Sequence, residues 1–381
     1  MKEIYLDNAA TTRVDDKVIE AMIPFYNKNY GNASSLHLKG EEARRAVEES
    51  RETIAKAIGA SYKEVIFTGS GTESNNFTIK GLFFKNYPEK NHIITTKIEH
   101  DCVLNACKWL ETQGAKISYL DVDEQGFVYA KDIENAITDK TFLVTIIHGN
   151  NEIGTIQNLK EIGEVCKRKK VLFHTDACQS FTKVPINVNK DNIDLMTLNA
   201  HKIHGPKGVG ALYIRNGIDI SPLLHGGGQE FKLRSSTENV AGIVGFAKAV
   251  KISNWKNVKN MTKLRDYFIE ELLKIPNVKL NGAEGEDRLC NNINVSFSNI
   301  EGEAVGSFLN VKNIFTSTGS ACSSKALEPS HVLTALGLSA LEANSSIRIS
   351  ISKYTTKEEI DYALSKIKKT VEKLRKISPL K

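Results

Sequence analysis

Short apolar runs alternate with helical patterns through the first two thirds of this chain. Ile93-Ile-Thr-Thr96, Phe142-Leu-Val-Thr-Ile-Ile147, Val171-Leu-Phe173 and the run 193–198 have the length and β-branched content of buried strands, and amphipathic stretches such as 160–170 lie between them. That alternation predicts an α/β fold with a mainly parallel central sheet and flanking helices. Ligands gather at the carboxyl ends of the strands in such sheets, and His100, Asn151, Asp176 and Lys202 all follow predicted strands. A large domain is expected over residues 15–255. The helical stretch 261–275 then leads into a smaller α+β domain.

The candidate chemistry starts at His201-Lys202, between the run 193–198 and Gly205-Pro-Lys-Gly-Val-Gly210. A lysine just past a buried strand can be partly desolvated, which lowers its pKa toward the range where it forms Schiff bases. Most loop lysines are solvated and inert, so the neighbours decide. The 171–174 run leads to Asp176, and a carboxylate there suits the ring nitrogen of pyridoxal 5′-phosphate (PLP), whose protonation makes the ring an electron sink. Taken alone, Asp176 could equally cap a helix. Phe67-Thr-Gly-Ser-Gly-Thr-Glu-Ser74 follows a strand-like segment and opens a helix, so N–H groups and the helix dipole converge as they do around a phosphate. It lacks the Gly-Lys-Ser/Thr of a Walker loop and the third glycine of the dinucleotide fingerprint, and a capped turn is the plain alternative.

Further blocks accompany these three. They are Tyr5-Leu-Asp-Asn-Ala-Ala-Thr-Thr12, Ser34-Ser-Leu-His37, Glu99-His100, Asn150-Asn-Glu-Ile-Gly154, His225-Gly-Gly-Gly-Gln-Glu230, Ser317-Thr-Gly-Ser-Ala-Cys-Ser323 and Ser345-Ser-Ile-Arg-Ile-Ser350. In this order and spacing the chain resembles, nearly end to end, the cysteine desulfurases of the NifS/IscS type, class V of the fold-type I PLP-dependent enzymes. The resemblance implies a fold-type I transferase with PLP on Lys202. Its small domain would comprise residues 1–14 and 256–381 and carry the catalytic cysteine loop.

The site roles it implies run as follows. His100 stacks on the cofactor ring and shuttles protons, although a histidine leading into a helix is more often a cap. Asn151 meets the ring hydroxyl and the substrate, and Gln179 approaches the same oxygen. Gly71, Thr72, Asn199 and His201 surround the phosphate, and Thr237 reaches it from the other subunit of a homodimer. Arg348 clamps the substrate carboxylate; its alternation with Ile347 and Ile349 points it away from the apolar side, where an exposed strand arginine is the ordinary reading. Cys322 sits among small polar residues, a poor packed core and a good loop. An exposed thiol there would attack the sulfur of L-cysteine, release alanine and hold a persulfide for a sulfur-acceptor protein, an iron–sulfur scaffold or a tRNA-thiolation enzyme.

Composition changes the picture little. The 381 residues are 41% hydrophobic and 25% charged, with a net charge of +6. The densest basic run, Lys167-Arg-Lys-Lys170, ends a helical pattern, where cations complement the dipole, so nucleic acid is not an expected partner. Neither a signal peptide nor a bilayer-length apolar run is visible, and the six cysteines show no C-x-x-C or disulfide spacing. A cytoplasmic enzyme without a structural metal is expected. Three positions depart from the family pattern: Asn199 replaces a phosphate-binding serine, Ser236 a glycine and Ala33 a proline. A selenocysteine lyase or another class V lyase or aminotransferase remains an alternative, as does a non-catalytic regulatory paralogue with a weakened phosphate site.

Overall fold

The computed structural model describes residues 3–318 and 329–379. Twelve strands lie in those segments: β1 Ile4–Tyr5, β2 Val65–Thr68, β3 His92–Thr96, β4 Lys116–Leu120, β5 Thr141–Ile147, β6 Leu172–Asp176, β7 Leu195–Asn199, β8 Gly210–Ile214, β9 Val278–Leu280, β10 Asn292–Phe297, β11 Ile314–Phe315 and β12 Ser346–Ser350. Seven form the main sheet in the order β2-β8-β7-β6-β5-β3-β4. The contacts β3–β4, β3–β5, β5–β6 and β6–β7 are parallel, while β8 runs against both β2 and β7. The predicted α/β class is what the chain adopts.

The helices that flank the main sheet mostly begin where a side chain can take up an open N–H group. Ser70 caps Gly71–Asn86, His100 caps Asp101–Glu111, Asn158 caps Leu159–Lys169 and Asn239 caps Val240–Ile252. The basic run lies in the last turn of Leu159–Lys169, which Lys170 ends in the left-handed conformation at φ 57°. The helix expected over 261–275 starts earlier, as Trp255–Leu273, because Asn254 caps it by accepting from the Asn257 N–H at 3.0 Å.

Apolar side chains cover both faces of the main sheet. Ile54, Ile58, Val144, Ile146, Phe173, Met196 and Phe246 pack on one face; Phe77, Leu82, Phe83, Val103, Leu110 and Leu143 pack on the other. A second core surrounds the antiparallel sheet β12-β10-β9 and includes Phe268, Leu272, Val295, Ile347, Ile349, Ile360 and Val371. The amino-terminal arm enters this core. Ile4 and Leu6 are buried in it, β1 pairs with β11, and Asp7 bridges to Ser350. Burial of Leu6 alone holds the arm by about 2 kcal/mol. A small cluster of Ile98, Ile147 and Ile153 with Val332, Leu333, Leu336 and Ala343 joins the two cores.

Candidate active site

The carboxyl ends of β2, β3, β5, β6 and β7 point the same way, so the segments that follow them meet at one edge of the sheet. Asp176 is the last residue of β6, and Lys202 lies three residues beyond β7. The arm passes over Lys202. Its Nζ donates to the Ala9 carbonyl and, at 2.7 Å, to the Ala10 carbonyl. Gln179 Nε2 also donates to the Ala9 carbonyl at 2.8 Å. Thr12 seals the segment by donating Oγ1–H to the His201 carbonyl at 2.9 Å.

Asp176 is buried, and both its oxygens are engaged. Oδ1 accepts from the Cys178 N–H at 2.9 Å and Oδ2 from Asn75 Nδ2 at 2.7 Å. Oδ1 therefore holds the turn after β6, and the carboxylate also faces the helix Gly71–Asn86. Glu99 lies beside it, wholly buried. Burial, with the Asp176 charge adding to it, pushes the Glu99 carboxyl up to about 8, against hydrogen bonds from Thr96 and the Ile147 N–H that pull it down. At neutral pH the pocket floor thus carries Glu99 mainly in its neutral form, which avoids placing two like charges together.

His100 is half-buried at the start of Asp101–Glu111. Its Nδ1 accepts from the Cys102 N–H at 3.2 Å and lies 3.1 Å from Cys102 Sγ. The residue is a cap, one of the two ordinary readings of its position, and among the described residues the ring's other nitrogen has no hydrogen-bond partner.

At the other end of the pocket, the Ser70 carbonyl and hydroxyl serve the Ser74 and Glu73 N–H groups. Among the described residues nothing accepts from the Gly71 and Thr72 N–H groups. A Cβ on Gly71 would come within 2.6 Å of Cys178 Sγ, and Asn199 Nδ2 lies 3.6 Å from the same point. Asn199 ends β7, buried, and its Oδ1 has no partner. His201 completes this side, with Nδ1 3.2 Å from Thr11 Oγ1. Burial, then the charges of Lys202, Lys207 and Lys183, push its imidazole down to about 4, so it is neutral near pH 7 and offers a ring N–H. Two open helix N–H groups, the Asn199 amide nitrogen beside them and a neutral histidine form a donor-rich cradle of the kind a phosphate takes. These residues fit PLP: the helix end could take its phosphate, and Asp176 could face its ring nitrogen.

Arg348 is buried, 5% exposed, so it is not the exposed strand arginine that is the ordinary alternative at its position. The side of β12 turned away from the apolar core is covered by the arm and by the loop after β5. Arg348 Nη2 meets Asp7 Oδ1 at 3.0 Å, and Nη1 donates to the Asn151 carbonyl at 3.3 Å. Its Nε has no partner. Arg348 and Asn151 are therefore adjacent, whereas Asn150 is tied inward to Ile98, Glu152 and Ile153. Thr237 is exposed and lines a cavity of about 130 Å³ with Thr68, Gly69 and Arg234. Cys322 lies outside the described residues. Asn75, Glu99 and Cys102 are the site residues that the sequence reading missed. Asn75 could have been found from its place one helical turn after Gly71, on the same face.

Residues 4–363 match the family Aminotransferase class-V. The chain is 50% identical to the cysteine desulfurase IscS of Dictyoglomus turgidum, over 100% of this chain and 97% of that one. Among solved structures it is similar to a NifS-like protein, at a TM-score of 0.92 and 41% identity, covering 98% of this chain and 100% of the other. It is also similar to SspA in complex with cysteine, at a TM-score of 0.84 and 40% identity over 93% and 100% of the two chains.

Proposed function

The chain belongs to the class-V aminotransferase family, among the cysteine desulfurases of the IscS and NifS type, and we propose that it converts L-cysteine to L-alanine through Lys202, His100 and Cys322. The observation that carries this reading is the meeting of Lys202, Asp176, His100 and the Gly71 cradle at one sheet edge. The complex of the similar SspA with cysteine supports cysteine as the substrate.

PLP held here supplies an aldehyde for the Lys202 amine and an electron-accepting ring that acidifies the substrate Cα–H. Gly71, Thr72, Asn199 and His201 would hold its phosphate, and Asp176 would keep its ring nitrogen protonated. Arg348 takes the substrate carboxylate by its guanidinium fork. The Lys202 amine would remove the substrate Cα proton. The Cys322 thiolate attacks the substrate sulfur, so that an S–S bond forms as the C–S bond breaks and its electrons stay with the carbon fragment. His100, through the ring nitrogen not bound to the Cys102 N–H, returns a proton to that fragment, which leaves as alanine. The sulfur remains as a Cys322 persulfide for an acceptor protein, an iron–sulfur scaffold or a tRNA-thiolation enzyme. Thr237, exposed beside the cavity that ends at Gly69, reaches the phosphate of a second copy in a homodimer. Among the described residues no helix is long and apolar enough to cross a membrane, and we place the enzyme in the cytoplasm.

The test measures alanine and sulfide together, for wild type and Cys322→Ser. Wild type should give both in equal amounts, and the variant should still bind cysteine but form no persulfide. Wild-type sulfide release by Cys322→Ser would overturn the role of that thiol. Borohydride reduction should leave the pyridoxyl adduct on Lys202, and an adduct on Lys207 would refute the lysine assignment.

A further inference from the structure

We propose that Cys102 is a positioning residue: its thiol, together with its own backbone N–H, fixes the His100 imidazole as the tautomer with hydrogen on Nε2 and couples the ring to Asp176 through Asn75. The inference rests on the reading of His100 as the proton-moving group of this site.

His100 Nδ1 accepts from the Cys102 N–H at 3.2 Å. A backbone N–H can only donate, so Nδ1 carries the lone pair and Nε2 the hydrogen. Cys102 Sγ stands 3.1 Å from the same nitrogen. Burial, with the nearby Asp176 charge adding to it, pushes that thiol up to about 12, so it keeps its proton at neutral pH and has one to offer. The sulfur also accepts from Asn75 Nδ2 at 3.1 Å. With the amide and the Thr72 hydroxyl pointing at it, the S–H is left to Nδ1.

The same Asn75 Nδ2 donates to Asp176 Oδ2 at 2.7 Å. One amide thus ties the carboxylate that faces the cofactor's ring nitrogen to the sulfur that orients the imidazole. The tie has a direction of influence. Moving Asp176 moves Asn75, which moves the thiol and then the ring. His100 therefore presents an N–H at Nε2 as its resting state, with Nδ1 held by two donors.

Histidine-selective 15N labelling of the apo-protein, read by two-bond 1H–15N correlation and assigned with His100→Gln, tests this without any turnover. Wild type should show His100 as the Nε2–H tautomer, with Nδ1 at the shift of a hydrogen-bonded acceptor. Cys102→Ala keeps the backbone N–H, and with it the Nε2–H tautomer, but loses the thiol, and should move Nδ1 toward the shift of a free acceptor. Cys102→Ser, whose hydroxyl also donates, should restore the wild-type pattern. In the loaded enzyme, the pH profile of alanine formation should shift for the alanine variant and return for the serine variant. A Cys102→Ala spectrum that superimposes on wild type overturns the proposal, as does a serine variant that fails to restore it. Failure of the desulfurase reading would look different: wild type itself would form no alanine, while the apo spectra would still report the tautomer.

Discussion

Replacing Asp176 by asparagine separates the charge of this residue from its shape. The carboxylate makes two bonds, Oδ1 to the Cys178 N–H at 2.9 Å and Oδ2 to Asn75 Nδ2 at 2.7 Å. An asparagine keeps the first through its own oxygen. Its amide nitrogen would then face the Asn75 amide nitrogen, donor against donor. Asn75 Oδ1 has no partner in the native site, so a half-turn of that amide removes the conflict at the loss of its bond to Cys102 Sγ. One weak bond is exchanged, which puts the stability change of the apo-protein at about 1 kcal/mol or less. What disappears is the charge opposite the cofactor's ring nitrogen. Bonds to charged groups are worth roughly 1.5 to 3 kcal/mol and neutral ones roughly 0.5 to 1.5, so PLP should bind about 5- to 30-fold more weakly. Turnover should fall further, on the order of a hundredfold at saturating PLP, because a neutral ring stabilises the carbanionic transition state less than the bound ground state. The assay pairs thermal melts of the apo-protein with PLP titration and alanine release. Unimpaired turnover together with a melting temperature lowered by many degrees would refute the reasoning, since it would make Asp176 a structural residue only.

Glu99→Gln should alter how stability depends on pH. The folded carboxyl, at about 8, lies above its ordinary 4.5, so its contribution is fully present below about pH 4.5 and is lost as pH rises toward 8. At 1.36 kcal/mol per unit the loss is roughly 3 to 5 kcal/mol, and the variant should be the more stable protein at pH 8 but not at pH 5; equal differences at both values in denaturant melts would contradict this. Arg348→Lys keeps a charge near Asp7 but loses the fork, so KM for cysteine should rise roughly tenfold to a hundredfold with kcat changed far less; an unchanged KM in steady-state kinetics would remove Arg348 from the substrate site. Asn199→Ser removes a buried oxygen that has no partner and supplies a hydroxyl, and PLP retention on dialysis should improve by about one to two decades in affinity. Weaker retention would show that Asn199 is a well-fitted ligand.

The main sheet is legible in the chain because its strands are compact apolar runs with helices between them, and the residues after those runs are the ones that carry the chemistry. Lys202, Asp176 and Gly71 each follow a strand, so chain order alone brings them together. The reversal of β8 is less legible: Gly210-Ala-Leu-Tyr-Ile214 is as apolar as its parallel neighbours, and only its short connection from β7 separates it from them. Glu99 stands in a recognisable block beside His100 but carries no role there in the sequence reading, since its oxygen is claimed by the Ile147 N–H, 48 residues away. An exposed side chain is the ordinary alternative for Arg348 because alternation reports which side of a strand is apolar, and not whether the other side is covered. What covers it is Asp7, 341 residues distant, and a sequence pattern with a period of a few residues carries no information at that range.

The arm also sets the order in which this protein can become whole. Asn8 Nδ2 donates to the Ser350 carbonyl across 342 residues, and β1 finds its partner only in β11. The arm thus leaves the ribosome long before the residues that hold it in place. By the time residue 214 has emerged, every strand of the main sheet exists, but the Ile4 and Leu6 anchors must wait for a core that is still being synthesised. The carbonyls of Ala9 and Ala10 come to rest over Lys202 only after that wait. Lys202 is made before the residues that anchor the arm, and the roof over it closes only once those residues have followed.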